Sequence, residues 1–434
     1  MSHEAALRAA IPGDVAELMG QLRAAGFAAY VVGGAVRDTL AGRTPADWDL
    51  ATDATPDQLR GAFPNAQYEN RFGTVGIPTS AGVREVTTFR ADGPSSDARR
   101  PDAITFLNAI EGDLARRDFT INAMAFGVPS GAHGDPVISG SLVDPFGGAA
   151  DLAAGRLRAV GDAGERFQED ALRMLRAARF ATRFDLTIDS ATAAAIRRDA
   201  ALVATLSGER IGAEIEGILA AENPAPGLAT LFELDLTAQI APELHAAWAA
   251  DLPARVAAIG EAGSPDAPDP IGRLAELLAD ITDDAVVEKV LTSWRRPRAT
   301  LHAVAALRAA DRSAAAAERG EIDAASYRIA TAAQSGDPHD AARQLRRRIA
   351  SNRATPAAAT LLTLCERADE QGIPALVGDL DSDGAEIIAA IDEQPGAWVK
   401  PLLEALLQEV AHGRVENRRD ALVAAAKQLH EKQR

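Results

Sequence analysis

The sequence predicts an α+β protein, a mixed sheet with helices at the front followed by an all-helical remainder. Up to about residue 130, short β-like runs (FAAYVV, GTVGIPT, REVTTF) alternate with amphipathic helical stretches, and Gly and Pro punctuate them. From about Asp151 onward the texture changes to Ala-, Leu- and Arg-rich segments with helical spacing, such as EDALRMLRAARFATRF, separated by loops including ENPAPG and GSPDAPDP. At 434 residues the chain exceeds one ordinary core, and domains of roughly 100 to 200 residues imply three or four units. Turn-rich stretches put the boundaries near Leu142–Gly148, near Glu222–Gly227 and near Gly320, which gives units of 1–141, 142–222, 223–320 and 321–434.

Composition narrows the class. Hydrophobic residues make up 47% and charged residues 25%, values of a folded soluble chain rather than a disordered or membrane one. No apolar run approaches the roughly 18 residues of a spanning helix, and MSHEAALRAAIPGD lacks a hydrophobic signal core, so the expectation is a cytoplasmic protein without a membrane partner. The single cysteine, Cys365 in LLTLCERA, reads as a small buried hydrophobe. A net charge of −17 argues against a nucleic-acid partner as a sum, but its distribution is uneven. Arg295 to Arg353 holds twelve arginines against six acids, about +6, whereas Asp251 to Val290 holds nine acids against three bases. The basic stretch fits one RNA-facing surface, and fits equally a solvated helix face.

Chemistry concentrates in YVVGGAVRDTLAGRTPADWDL, which reads as strand, diglycine turn, short helix and second strand. Asp47 and Asp49 alternate on that second strand and so share a face. Two such carboxylates can hold paired magnesium ions about 3.5 to 4 Å apart, the arrangement suited to in-line phosphoryl transfer. Gly33 and Gly34 allow a tight turn with exposed amides beside a helix N-terminus, a cradle for triphosphate oxygens, and Arg37 adds a guanidinium one turn on. Alone, a GG or a DxD means little; together at this spacing they are specific.

Two further blocks complete the set. DLARRDFTINAMAF supplies Arg116, Arg117, Asp118 and Asn122 for phosphate and ribose contacts, and EDALRMLRAARF places Asp170, Arg173, Arg176 and Arg179 on one helix. Asp170 and Arg173, three residues apart, could present an acceptor beside paired donors. Cytosine and adenine both offer an amino donor next to a ring-nitrogen acceptor and match that pair; guanine and uracil would leave both partners unmet. The bland reading of the same two residues is a surface salt bridge.

With these residues in hand, the sequence resembles the class II nucleotidyltransferase family, which holds CCA-adding enzymes and bacterial poly(A) polymerases. The matching blocks are VVGGAVRD with DWDLAT, EVTTFRADG, ARRDFTINAMAF, LVDPFGGAADL, GERFQEDALRMLRAARFATRF and the weaker SGERIGAEI, in family order across Ala29 to Ile215. The resemblance implies a polymerase-β-like head (1–141), a helical neck that reads the base (142–222), and a helical body (223–320) and tail (321–434) that hold tRNA. It implies Asp47 and Asp49 as metal ligands, with Glu85 a candidate third carboxylate. Gly34 and Arg37 then meet nucleotide phosphates, Arg116 or Arg117 assists, and Asp118 meets the ribose. Asp170 with Arg173 acts as an amino-acid template, and Arg176 and Arg179 bind nucleotide. The implied reaction is CCA addition to a tRNA 3′ end from CTP and ATP with Mg²⁺. Poly(A) polymerase and CC-only or A-only addition are alternatives within the class, and an inactive RNA-binding homologue is the alternative outside it. The linker Ala91 to Asp102 matches a loop thought to move between C and A addition, and its Gly, Pro and Ser content independently suggests mobility. His339–Asp340 is assigned a loop or helix-cap role without metal, and Trp294 a buried helix end rather than a base stack.

Overall fold

The computed structural model describes residues 2–68, 73–92, 104–249, 252–261, 263–264, 267–350, 356–382, 384–391 and 393–433. These fall into two compact units, Met1–Ala246 and Ala247–Arg434.

The first unit opens with helices α1 (His3–Ala10) and α2 (Gly13–Ala24), followed by β1 (Ala29–Val32), α3 (Gly34–Leu40), β2 (Leu50–Thr52) and α4 (Pro56–Ala62). Strands β3 (Gln67–Tyr68), β4 (Thr74–Thr79) and β5 (Gly82–Thr88) come next, then the pair β6 (Arg90–Asp92) and β7 (Ile104–Phe106), α5 (Ile110–Ala115), β8 (Ala125–Val128) and β9 (Ser141–Val143). Among the described residues one sheet runs β3-β4-β5-β2-β1-β8-β9, antiparallel throughout except for β2 beside β5. Alternation along the strands sorts two cores. Val31, Leu50, Val75 and Val86 face α1 and α2 residues such as Leu7 and Leu18, while Tyr30, Val32, Ala51 and Phe89 meet Ile110 and Leu114 of α5. The mixed head expected from the sequence is therefore present. The Ala91–Asp102 linker, apart from Ala91 and Asp92 in β6, lies outside the described residues.

Beyond the sheet the unit is nearly all helical. Helices α6 (Gly148–Ala153) and α7 (Ala163–Glu169) lead to α8 (Leu172–Phe184), then α9 (Ser190–Asp199) and α10 (Gly208–Leu219); a two-residue parallel pair joins Arg156–Leu157 to Thr187–Ile188. Amphipathic α8 buries Met174, Leu175, Ala178, Phe180 and Ala181 and turns its arginines to the other side. Three shorter helices close the unit, α11 (Ala225–Glu233), α12 (Leu236–Ile240) and α13 (Pro242–Trp248).

The second unit is a stack of helices from Leu252–Glu261 to Arg419–Gln433. Within it, seven of the twelve arginines of the basic stretch pair with acids among the described residues. Arg308 and Arg312 bind Asp284, Arg319 binds Glu321, Arg328 binds Asp369, Arg343 binds Asp337 and Asp340, Arg346 binds Glu366, and Arg348 bridges Asp311 and Glu318. Of these seven, Arg308, Arg328 and Arg348 are buried, while Arg312, Arg319, Arg343 and Arg346 keep more than half of their side chains exposed. Trp294 is 1% exposed at the end of its helix, as expected. Cys365 is fully buried, and burial pushes its thiol up to about 12. Asp340 opens the helix Asp340–Ala350 and pairs with Arg343, which agrees with a helix-end role. No helix among the described residues is long and apolar enough to cross a membrane.

Candidate active site

The site begins at the turn between β1 and α3. Gly33 has φ +64°, which favours glycine, and a Cβ there would stand 2.4 Å from Arg117 Nη1 and displace that guanidinium. Its amide donates to the Met124 carbonyl at 3.0 Å. This corrects the expectation of two exposed amides: the Gly33 amide is taken up by the sheet end, and Gly34, the first residue of α3, is the one that lines the cleft. Arg37 follows one turn later, buried, with Nε 2.8 Å from Asp38 and Nη1 on Asn122 Oδ1. Its guanidinium carbon lies 4.4 Å from the Phe184 ring centre and 5.2 Å from that of Phe180. Burial pulls its pKa down and Asp38 opposes the pull.

A cleft of about 480 Å³ gathers Gly34, Arg37, Asp49, Arg116, Arg117, Asp118, Asn122, Asp170, Arg173 and Arg176 from four separate stretches of chain. Ten of the fourteen residues singled out from sequence thus share one wall system, of a size suited to a nucleotide. Gly33 is behind that wall, and Asp47, Glu85 and Arg179 are not among its lining residues.

Asp113, 1% exposed on α5, organises the arginine pair. One of its oxygens accepts from Arg116 Nε at 3.0 Å and Nη2 at 2.8 Å, and the other from Arg117 Nη2 at 3.2 Å. Burial raises the Asp113 pKa, but the two guanidinium groups outweigh it and hold the carboxyl below the usual range. Asp118 is organised in the same way. It is buried, accepts from Asn122 Nδ2 at 2.9 Å and the Phe119 amide at 2.8 Å, and receives Arg176 through Nε at 2.8 Å and Nη2 at 2.7 Å. Burial pushes it up, and Arg176 with Asn122 brings it below an ordinary carboxylate.

Asp170 is not on the helix with Arg173, and this corrects the one-helix expectation. It is the extended residue (φ −151°, ψ 103°) between α7 and α8, and its Oδ1 accepts the Leu172 amide at 3.0 Å. The chain breaks there because an aspartate side chain can satisfy a nearby downstream amide and compete with helix continuation. Nor do Asp170 and Arg173 bond through their side chains. Asp170 Oδ2 meets Arg210 Nη2 of α10 at 2.6 Å. Arg173 instead donates to Glu169 at 2.7 Å, to the Arg166 carbonyl at 3.1 Å and to the Arg116 carbonyl at 2.8 Å. Arg179 sits behind, on Glu214 and over Phe180 at 4.6 Å.

Asp47 and Asp49 are exposed and flank the buried Trp48, so they do share a side. Both precede the first full β2 residue, Leu50, although the Asp49 carbonyl already accepts the Val32 amide at 3.1 Å. Asp49 lines the cleft, and Asp47 stands 3.8 Å from Arg84 Nη1. Although Asp49 keeps surface open to solvent, the protein packed around its carboxyl partly desolvates it, and this and then the charge of Asp47 raise its pKa, against Arg117. Two hard carboxylates on one side of the chain, the charge of one of them disfavoured, fit a divalent cation. Glu85 is exposed on β5, where the register opposing Leu50 to Val86 sets it level with Asp49. No three His, Cys, Asp or Glu side chains among the described residues form a metal-holding group, so Glu85 is not gathered with the pair.

Comparison with known proteins agrees with this geometry. Residues 29–158 match the family model described as the poly A polymerase head domain, and residues 185–248 match the probable RNA and SrmB-binding site of polymerase A. The CCA-adding enzyme of Geobacillus thermodenitrificans is 33% identical over 419 residues, 93% of this chain and 94% of that one. The chain belongs to the CCA-adding enzyme family. Another member, from Lactiplantibacillus plantarum, is 44% identical over 216 residues, half of each chain. The solved CCA-adding enzyme of Bacillus stearothermophilus in complex with CTP superposes with a TM-score of 0.73 at 28% identity, covering 97% of this chain and 98% of that one. The Thermotoga maritima CCA-adding enzyme complexed with tRNA, at 19% identity and a TM-score of 0.71 over 99% of each chain, shares the fold. For a member of this family, the structure adds three residues that the sequence reading left out. Asp113 precedes Arg116 and Arg117 by three and four positions, a helical spacing open to inspection. Arg210 and Glu214 lie in the SGERIGAEI block, but nothing local points them at Asp170 and Arg179.

Proposed function

We propose that the protein adds CCA to the 3′ end of tRNA, using CTP and ATP and releasing pyrophosphate. The observation that carries this is the single cleft in which Asp49, the α3 turn, the Arg116–Arg117 pair and Asp170 meet, in a chain that matches CCA-adding enzymes along nearly its whole length. In each cycle the tRNA 3′ oxygen bonds to the α-phosphorus of the triphosphate, the bond to the β-phosphate oxygen breaks, and the hydroxyl proton leaves to solvent or a nearby base. Asp47 and Asp49 would hold Mg²⁺, which when bound activates the attacking hydroxyl and neutralises the leaving pyrophosphate. Glu85 remains a candidate supporting carboxylate on the neighbouring strand.

Around that centre the chain supplies positioning. Gly34, Arg37, Arg116 and Arg117 meet triphosphate oxygens, with Asp113 fixing the arginine pair. Asp118 and Asn122 face the ribose and keep Arg176 in place, with Arg179 supporting it from behind. Asp170 accepts from the exocyclic amino group that cytosine and adenine share, and Arg173 lines the same wall. The head, neck, body and tail at 1–141, 142–222, 223–320 and 321–434 remain our functional division, with tRNA held by the last two, and the tRNA substrate places the work in the cytoplasm.

The test supplies tRNA ending at each successive stage of CCA, Mg²⁺ and one labelled nucleotide at a time. C onto the truncated end, C again, then A only after both, supports the reading. Unlimited A on any RNA indicates a poly(A) polymerase, C alone or A alone a divided pathway, and no incorporation an RNA-binding homologue.

A further inference from the structure

Arg43 lies three residues beyond the end of α3 and outside the cleft. Gly42 turns the chain there with φ +71°, and the Arg43 amide donates back to the Asp38 carbonyl at 2.8 Å, which fixes its backbone on the end of α3. The side chain reaches 140 residues along the chain to the end of α8, where Nη1 donates to the Arg183 carbonyl at 2.8 Å. Its guanidinium carbon lies 4.8 Å from the Phe184 ring centre. The last carbonyls of a helix have no partner within it and form the negative end of its dipole, so a cation there is favourable. Phe184 also carries the guanidinium of Arg37 from α3 at 4.4 Å, and Arg183 stands 3.9 Å from Asp38 of α3. The C-terminal ends of the two helices are thus joined, and of these side-chain contacts that of Arg43 is the hydrogen bond. The other ends of the same helices line the cleft: Gly34 opens α3, and Leu172, Arg173 and Arg176 occupy the first two turns of α8.

We propose that Arg43 is a positioning residue for nucleotide transfer, resting on the CCA-adding reading above: by tying the far end of α8 to the far end of α3, it sets how the near ends of the two helices face each other across the nucleotide. Helix α8 has thirteen residues and so runs about 18 Å from first to last, and its hydrogen-bonded backbone passes a shift at one end to the other. Arg43 also precedes Asp47 and Asp49 by four and six residues, so the same tie anchors the start of the segment that presents the two acids. Because Arg43 is not among the residues lining the cleft, its effect falls on the rate of every addition rather than on the choice of base. The contact holds by one hydrogen bond, the helix-end charge and the Phe184 ring, and no covalent step is involved.

The experiment compares wild type, Arg43→Ala and Arg43→Lys as full chains. It measures single-turnover transfer of CMP onto truncated tRNA and of AMP onto tRNA ending in CC, the dissociation constants of CTP and ATP, and the melting temperature. A misplacement of about 1 Å caused far from the reacting atoms can cost about 100-fold, so Arg43→Ala should slow both transfers about 10- to 100-fold and leave their ratio unchanged. The nucleotide dissociation constants should change by less than about threefold, because the lost contact is not with the nucleotide. Lysine can donate to the same carbonyl and keeps the charge at the helix end, so Arg43→Lys should recover most of the lost rate. The exposed contact contributes little to global stability, and both variants should melt within about 4 °C of wild type. Transfer by Arg43→Ala within about twofold of wild type, a loss of nucleotide affinity as large as the loss of rate, or no recovery with lysine would overturn the role of Arg43. A collapse of the fold in both variants would overturn it as well, by showing a merely structural contact. Wild type failing to add C and A at all would instead overturn the functional reading beneath it.

Discussion

Asp113 holds two cationic side chains with one buried carboxylate, and the arrangement fixes how the residue responds to acid. Its folded pKa lies below the ordinary value, so the stabilisation it brings is complete above the unfolded carboxylate pKa of about 3.9 and disappears as pH falls through the folded value. Asp113→Asn should therefore lower stability by about 1–3 kcal/mol at neutral pH and raise KM for nucleotide, because Arg116 and Arg117 lose their anchor. The deficit relative to wild type should shrink below about pH 4, where the wild-type carboxyl also takes up its proton. Urea unfolding midpoints across pH check it, and a deficit constant from pH 7 to pH 3 would contradict it. Gly33 makes a second residue-scale test. Alanine there meets both a positive φ and the Arg117 guanidinium at 2.4 Å, so Gly33→Ala should reduce nucleotide transfer far more than it reduces the melting temperature.

Helix α8 shows how one element couples core and site. Phe180 packs edge-on against Phe119 at 5.8 Å and carries the guanidinium groups of Arg37, Arg176 and Arg179 at 4.6 to 5.2 Å. Phe180→Ala should cost about 3–5 kcal/mol from the cavity alone and let three cleft-facing or supporting arginines move, seen as a lower melting temperature together with a higher nucleotide KM. Loss of stability without a change in KM would separate the core role from the site. The elements also show what the sequence could disclose. The strands at Ala29–Val32, Thr74–Thr79 and Gly82–Thr88 were legible because β-branched runs bounded by glycine admit little else. The break at Asp170 was not, because EDALRMLRAARF has largely helical composition, and the local cap by which Asp170 takes the Leu172 amide competes with an equally possible continuous helix. The alternate spacing of Asp47 and Asp49 disclosed a shared side, while that only Asp49 lines the cleft depends on the elements folded around it.

For the whole molecule, the charge of the arginine-rich stretch divides between buried structural pairs and exposed ones. Sequence could not say which of the twelve arginines between Arg295 and Arg353 the folded chain would bury, because the partners of Arg328 and Arg348 lie 41 and 30 residues away. Arg348 joins fully buried Glu318 to Asp311, so Arg348→Ala should destabilise the second unit by about 3–5 kcal/mol, the usual result of stranding a buried charge. Calorimetry checks it, and an unchanged melting profile with weakened tRNA binding would return that arginine to the RNA surface. One cleft in the first unit, with Asp49 in its lining, performs every addition. Single-turnover transfer by Asp49→Ala, measured separately for CMP onto truncated tRNA and AMP onto tRNA ending in CC, tests it most directly. Both rates should fall together by about 10³-fold or more while the tRNA dissociation constant changes little; survival of either addition at near wild-type rate would contradict it.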